Sequence, residues 1–523
     1  MKILLVTGKL AEDIVKKYAS ESKEEIDVIS LPVPIAAFIT PEHAASFLKE
    51  KLTKQYDLIL LPGYVQGDVE LVESATGIKT FKGPIHIADL PTVIDLIGEI
   101  KLSSKTPASE MIGESAKKRV LEVFKKIEEN WEDTVKKHGG FSIGRGGAKI
   151  HVGRGFPMRV IAEIVNAPAL SEKEIQNRVR YYASKGADII DLGMIANKPM
   201  PYRIKKIIES VRSVTNLPIS IDSLNIDEIL EAYESGIDLI LSLDSGNLED
   251  VAESIRNVPI VVLPTNMKEG IIPRRAEEKV EALSNNIKKA RKFGLTKIIA
   301  DPILDPPINP GLFESLRAYF LYRQRDAITP LLFGLGNVTE LIDADSQGVN
   351  CLLASIAQEI GANLLFVPES SPKTFGSVFE TAIASKMVFL ADRRRSTPKD
   401  LGLDLLLLKE KRRRDEPHTI VDEGKLRVVE ALEKDYYEQD PLGWFRIEVD
   451  RANNLINAFH YENKASEPDM VIKGKRAEDI YWKIIEEGLV GKLDHAAYLG
   501  KELNKAEMAL KVNRSYIQEE DLF

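Results

Sequence analysis

Eight nearly uninterrupted apolar runs, each followed by a segment of helical periodicity, occupy the middle of the chain. They read RVIAEIVN, ADIIDLG, LPISID, IDLILSLD, PIVVLPT, KIIADP, PLLFGLG and NLLFVPE, and begin near residues 159, 187, 217, 237, 259, 297, 330 and 363. A run that is apolar at almost every position has no solvent face, so it belongs to a strand covered on both sides. Strands alternating with helices give a parallel sheet. Eight such units between residues 158 and 391 fit a closed (β/α)8 TIM barrel better than an open doubly wound sheet, the alternative that periodicity alone leaves standing. The helical segments carry their own punctuation. Ser171 with Glu174 and Asn225 with Glu228 have capping-box spacing, and Gly186 and Gly236 stand where helix-ending glycines belong.

The chain has 523 residues, so a barrel of this size leaves room for flanking domains. Residues 1–140 alternate KILLVTG, AEDIVKKYA, IDVISLP, EHAASFLKEKL and YDLILLPG, a β-α-β-α-β series that predicts a Rossmann-like α/β domain. IKTFKG and a helix over ADLPTVIDLIGEI extend it, and the charged helix ESAKKRVLEVFKKIEENWED closes it. The first turn, TGKLAED, lacks the glycine spacing of a dinucleotide fingerprint. Residues 141–157 form a Gly/Arg-rich linker or a hairpin at the barrel base, with Arg145 and Arg154 as alternative anion ligands. After the barrel, 392–416 reads as a charged linker and surface helix. Residues 417–523 predict a small α+β domain: a hairpin in WFRIEVDRANNLINAFHYE, then helices over SEPDMVIKGKRAEDIYWKIIEEG and LDHAAYLGKELNKAEMALKV. The whole is therefore α/β, a central barrel between two smaller domains.

Composition narrows the function. A net charge of −9 argues against nucleic acid as the main partner. The single cysteine, Cys351, excludes an intrachain disulfide and disfavours a cysteine-based zinc site. No run approaches the ~20 apolar residues of a membrane span, and the apolar start is too short for a signal peptide, so a soluble, cytoplasmic protein is expected.

In a β/α barrel, chemistry gathers at the C-terminal ends of the strands. There the chain places Asn166, Asp191, Asp222, Ser242 with Asp244, Asn266, Asp301, Asn337, and Glu369 with Ser370. Carboxylates and amides outnumber bases, and no histidine is among them. Each also has a plain alternative as a helix cap. Two aspartates and an asparagine around an apolar slot suit a flat heterocycle rich in donors, such as a pterin. The pterin 2-amino group and neighbouring ring N–H form a donor pair that one carboxylate can accept.

These strand ends resemble those of the pterin-binding barrels, the dihydropteroate synthases and the methyltetrahydrofolate–corrinoid methyltransferases. VIAEIVNAP, GADIIDLG, ISIDS and KIIADP are similar to the first, second, third and sixth synthase strands. The three-part arrangement looks closest to archaeal dihydropteroate synthase-related proteins. The resemblance implies that Asp222 and Asp301 clasp the pterin ring, with Asp191 and Ser242 or Asp244 nearby. It places Asn166 by a leaving pyrophosphate, where it would be one ligand of a substrate-bound Mg²⁺. It implies condensation of a dihydropterin 6-methyl pyrophosphate with an arylamine, in the biosynthesis of tetrahydromethanopterin or a folate-like cofactor, by a possible homodimer.

The loops MIANKPMP, GLGNVTEL and LLFVPES depart from the synthase pattern, which leaves Lys198, Arg203 or Lys373 to supply positive charge for a second substrate. GLGNVT instead resembles the methyltransferase strand whose asparagine lies near the pterin N5, and Asn337 matches it. That alternative needs a corrinoid protein as partner, because the chain has no Asp-x-His-x-x-Gly motif. His495 is a conceivable ligand but suits a packed histidine better. A third reading is a non-catalytic pterin-binding scaffold.

Overall fold

The computed structural model describes residues 1–522 apart from 21, 23, 112, 400, 410–428, 430 and 432–437. The basic run of 409–416 and the expected start of the last domain at 417 therefore fall almost wholly outside the described residues. The chain forms two compact units, Met1–Leu405 and Leu406–Phe523.

The first unit begins with four parallel strands, β1 (Lys2–Gly8), β2 (Glu25–Leu31), β3 (Leu58–Leu61) and β4 (Thr80–Lys82), in the order β2-β1-β3-β4. Leu4, Val6, Ile59 and Leu61 face one helical layer while Ile3, Leu5, Leu58 and Leu60 face the other, which is why these strands read as unbroken apolar runs. The segment expected as one long helix over ADLPTVIDLIGEI is shorter. Its helix spans only Leu90–Asp95, and Ile97 and Ile100 then meet in an isolated bridge around Gly98 (φ +100°). The helix Gly113–Glu129 packs Val123, Phe124 and Ile127 against Phe156, Phe389 and Leu390, so these residues of it lie on the barrel.

Residues 141–157 contain a two-stranded antiparallel hairpin, β5 (Phe141–Ile143) and β6 (Ile150–Val152). It sits at the floor of an eight-stranded parallel sheet: β7 (Arg159–Ile164), β8 (Ile189–Gly193), β9 (Ile219–Asp222), β10 (Leu239–Leu243), β11 (Ile260–Val262), β12 (Ile298–Ala300), β13 (Leu332–Gly334) and β14 (Leu364–Pro368). The pairing order is β12-β11-β10-β9-β8-β7-β14-β13. A parallel bridge between Ala300 and Leu331, with the Ala300 N–H donating to Pro330 O at 2.8 Å, joins the two ends and closes the barrel.

Side chains alternate along each strand, so one set fills the barrel and the other packs on the helices. Ile161, Ile189, Leu239, Leu241, Val261, Ile299, Leu332 and Leu364 fill the interior, and Ile143 and Val152 of the hairpin plug it from below. Each such burial stabilises by about 1.5–3 kcal/mol. The caps behave as the sequence implies at Ser171–Glu174, where both reciprocal bonds form. At Asn225 only half of the box forms: Glu228 N donates to the Asn225 side chain, while the Glu228 carboxylate accepts from Met200 N and Ser223. The last barrel helix, Ser377–Arg394, lies in the one segment among the described residues long and apolar enough to cross a membrane, and 72% of that apolar window is buried inside the protein.

The second unit holds β15 (Trp444–Asp450), β16 (Leu455–Tyr461) and β17 (Met470–Gly474), antiparallel in that order, backed by helices Ala477–Glu486 and Leu493–Lys511. The segment expected as one helix from SEPDMVIKG onward is split. MVIKG alternates with period two, buries Ile472 and pairs with β16, and the helix begins only at Ala477. His495 is packed: its Nδ1 lies 3.0 Å from Asp440, whose carboxylate also accepts from Leu442, Gly491 and Lys492 N–H groups. Those bonds hold the Asp440 carboxyl well below the usual range.

Candidate active site at the barrel mouth

Alternation also decides what reaches the mouth. Val160, Ala162 and Ile164 face the helices, so Ile161 and Glu163 of β7 face inward. By the same parity β8 turns Asp191 and Gly193 inward and β9 turns in Ser220 and Asp222. These strands are in register, with Glu163 beside Asp191 and Gly193 beside Asp222. Asp301, one residue past β12, completes the set.

Asp191 is fully buried. Its Oδ1 accepts from Ser220 at 2.6 Å, and its Oδ2 has no partner among the described residues. Burial, followed by the charges of Asp222 and Glu163, pushes its carboxyl well above the ordinary value. Asp222 is likewise pushed up by burial, against the opposing effect of the Ser242 hydroxyl, which donates to its Oδ1. Strict alternation would have pointed Ser242 at the helices. The register between β10 and β11 shifts here, Ser242 takes a positive φ of +66°, and Leu243 becomes the residue that packs outside. The bulge thus aims the Ser242 hydroxyl at Asp222.

Asp301 accepts from Tyr319 Oη at 2.7 Å and from Ile303 N at 2.8 Å, both on Oδ1, which leaves Oδ2 as the oxygen to face a ligand. Burial raises its carboxyl to about 6, with the Asp222 charge adding and the Tyr319 bond and Lys279 opposing. Lys279 is itself buried and paired with Asp305 at 2.5 Å, and it donates to Ile303 O at 2.9 Å, so it holds the loop that carries Asp301.

The remaining expected residues separate into rim and brace. Asn166 is exposed at the end of β7 in a left-handed conformation (φ +52°), where the chain turns into Ala167–Ala169. Asn337 lies inside the one-turn helix Gly336–Thr339 rather than at its N-cap. Its amide donates to Leu304 O at 2.7 Å, linking the loops after β12 and β13. Asp244 is a correction to the expected ligand set. It is buried, and it accepts from Thr265 Oγ1 at 2.8 Å, Met267 N at 2.7 Å and Gly246 N at 2.8 Å, so its carboxylate is consumed in bracing its own loops. Of the three cations, Lys198 is exposed, Arg203 donates to Leu170 O, and Lys373 donates to Ile342 O and pairs with Asp343. Arg203 and Lys373 thus hold loops. Arg145 pairs with Asp238 at the floor, and Glu369 accepts from Val378 N, at the start of the last barrel helix.

Glu163 was not anticipated. It lies in the interior of an apolar strand rather than at its end, and its signal was a lone acid at an inward-facing position. Burial, with Asp222 and Glu340, raises its carboxyl to about 8. A groove lined by raised carboxyls can accept hydrogen bonds from a heterocycle without a metal, and it can hold protons near neutral pH.

Residues 166–338 match the family model for pterin binding enzymes. Residues 439–519 match the model PterinBD-DUF4346, and residues 1–85 match DUF6513, a family of unknown function. Over its full length the chain is 43% identical to the uncharacterized protein MJ0107 of Methanocaldococcus jannaschii, covering 99% of that protein. The chain belongs to the MJ0107 family, and its barrel is a pterin-binding domain. A Ycf91-like protein of Nostoc is 30% identical over 125 residues, 19% of this chain and 98% of its own length. Among solved structures, dihydropteroate synthase of Xanthomonas albilineans with 7,8-dihydropteroate is 20% identical, with a TM-score of 0.39, covering 48% of this chain and 98% of its own. The synthase of Thermus thermophilus gives 19% and 0.38 over the same shares. Likeness this distant adds nothing to the strand order itself. Within this pterin-binding barrel, the carboxyl-lined end is the candidate site.

Proposed function

We propose that the barrel is a dihydropteroate synthase-like transferase, condensing a dihydropterin 6-methyl pyrophosphate with an arylamine in tetrahydromethanopterin or folate-type cofactor synthesis. The observation that carries the reading is the pairing of Asp222 and Asp301 at one mouth, each with its pKa raised by burial and each braced by a neutral hydroxyl, Ser242 or Tyr319. Such carboxyls suit the donor edge of a pterin. Displacement at the 6-methylene carbon draws on the ring's electrons, so the absence of histidine from the set of strand-end residues is no obstacle.

An acidic mouth needs help with a pyrophosphate leaving group. Mg²⁺ bound chiefly by the pyrophosphate would neutralise that charge, with the exposed Asn166 amide as a protein ligand. The donor chemistry suits this arrangement, since a neutral amide oxygen on an exposed turn fits a cation that keeps its waters and phosphate oxygens. Of the three expected cations, Lys198, exposed on the loop after β8, is the one with no side-chain partner among the described residues, and it would meet an anionic second substrate. Incubation with dihydropterin pyrophosphate, an aminobenzene riboside phosphate and Mg²⁺ tests the proposal. Release of pyrophosphate is expected; pterin binding without release would overturn condensation.

A second reading, methyl transfer from a methyl-tetrahydropterin to a corrinoid protein, is favoured by Asn337, whose amide is fixed on Leu304 O beside the side-chain-free face of Gly334. Transfer of the methyl group to a corrinoid protein, in place of pyrophosphate release, would identify it. Either chemistry fits a cytoplasmic protein.

A further inference from the structure

Glu163 has no task in the reading above, yet the strands are arranged around it. Its register partner on β8 is Asp191, and its carboxyl lies over Gly193, which is the register partner of Asp222. A Cβ on Gly193 would come within 2.2 Å of Glu163 Oε1, so the glycine leaves the space that the acid fills. Beneath it Asp191 is sealed from solvent, with an unpartnered Oδ2. Glu163, Asp191 and Asp222 form no ion pair among the described residues.

We infer that Glu163 is a further pterin-contacting residue, a neutral carboxylic acid that donates a hydrogen bond to an acceptor atom of the ring. The inference rests on the pterin reading of this mouth. Three adjacent carboxyls without a cation cannot all ionise, and of the two neighbours on β7 and β8 only Glu163 is open to a ligand. The groups that face it are Asp191 of β8, Asp222 of β9 and Glu340 of the loop after β13. Tyr182, from the covering helix, donates its phenol to the Glu163 backbone oxygen at 3.2 Å. All the charges are acidic, and together with burial they keep the acid protonated up to about pH 8. Asp222 and Asp301 accept from the ring's donors, while Glu163 supplies the opposite polarity for its carbonyl or ring nitrogens.

The test is calorimetric binding of 6-methyltetrahydropterin to the full chain and to the variants E163Q, E163L, G193A and D222N between pH 6.5 and 9.5. Wild-type affinity should fall about fivefold from pH 8 to pH 9 relative to E163Q, because a glutamine amide still donates and does not titrate. The ligand's own ionisation cancels in that ratio. E163L and G193A should bind at least about tenfold more weakly at pH 7. If E163L loses its circular-dichroism signature, the isosteric E163Q profile still decides. Parallel wild-type and E163Q pH profiles, or full affinity in E163L, would overturn the inference. No binding by the wild type would overturn the pterin reading with it, whereas loss in D222N alone would spare that reading and remove only the role of Glu163.

Discussion

The two ends of the barrel both bury charge, and they treat it in opposite ways. At the floor the charges are matched. Arg159 donates to His151 O at 2.8 Å and pairs with Glu128 at 2.7 Å and Asp188 at 3.7 Å, while Asp238 takes Arg145, Arg212 and the Ile219 N–H. At the mouth Glu163, Asp191 and Asp222 crowd together without a cation, so like charge adds to burial in raising Glu163 and Asp191, whereas at the floor Arg159 opposes the burial that raises Asp188. Paired burial is a way to fix a fold, and unpaired burial is a cost that persists where a ligand completes the site. The floor therefore answers for stability, and the mouth is where the proposed recognition is placed.

The strongest way to break this contrast is to unpair the floor. Arg159→Met leaves Glu128 and Asp188 without their partner and should destabilise by about 3 kcal/mol, read as a lower Tm, with pterin affinity unchanged. Loss of affinity with unchanged Tm would reverse the assignment of the two ends. At the mouth, Asp301→Asn removes a charged acceptor and should weaken pterin binding by about 2 kcal/mol, roughly thirtyfold, with little change in Tm.

The sign of the mouth's pH dependence is a further check. Glu163 has a folded-state pKa raised to about 8. Its contribution to stability is fully present below the unfolded value near 4.5 and is lost as pH rises through the folded value. Glu163→Gln should thus raise Tm at pH 9 relative to wild type by more than at pH 5, and an equal change at both would contradict the assignment. The smallest expected effect is at the rim. Asn337→Ala should leave pterin affinity within about threefold, because its amide is already used on Leu304 O, while slowing turnover if the ring N5 is protonated in the reaction.

How far the sequence went follows from what alternation can and cannot reveal. The eight strands were legible because both faces are apolar, and Asp222 and Asp301 because each interrupts an apolar run at its end. Glu163 was hidden inside such a run. Ser242 lies beyond any parity rule, since a bulge reverses its direction, and Asp244 is occupied by Thr265 and Met267, more than twenty residues away in sequence. In the last domain, MVIKG was too short for its period to stand out beside a strongly helical neighbour.

The most direct measurement is a crystal structure of the full chain soaked with 6-methyltetrahydropterin. The ring should lie in the mouth with its amino edge on Asp222 and Asp301 and Glu163 within hydrogen-bond reach. A ring bound at the floor or in the second unit, or a mouth left empty at saturating ligand, would contradict the assignment of recognition to the unpaired carboxyls.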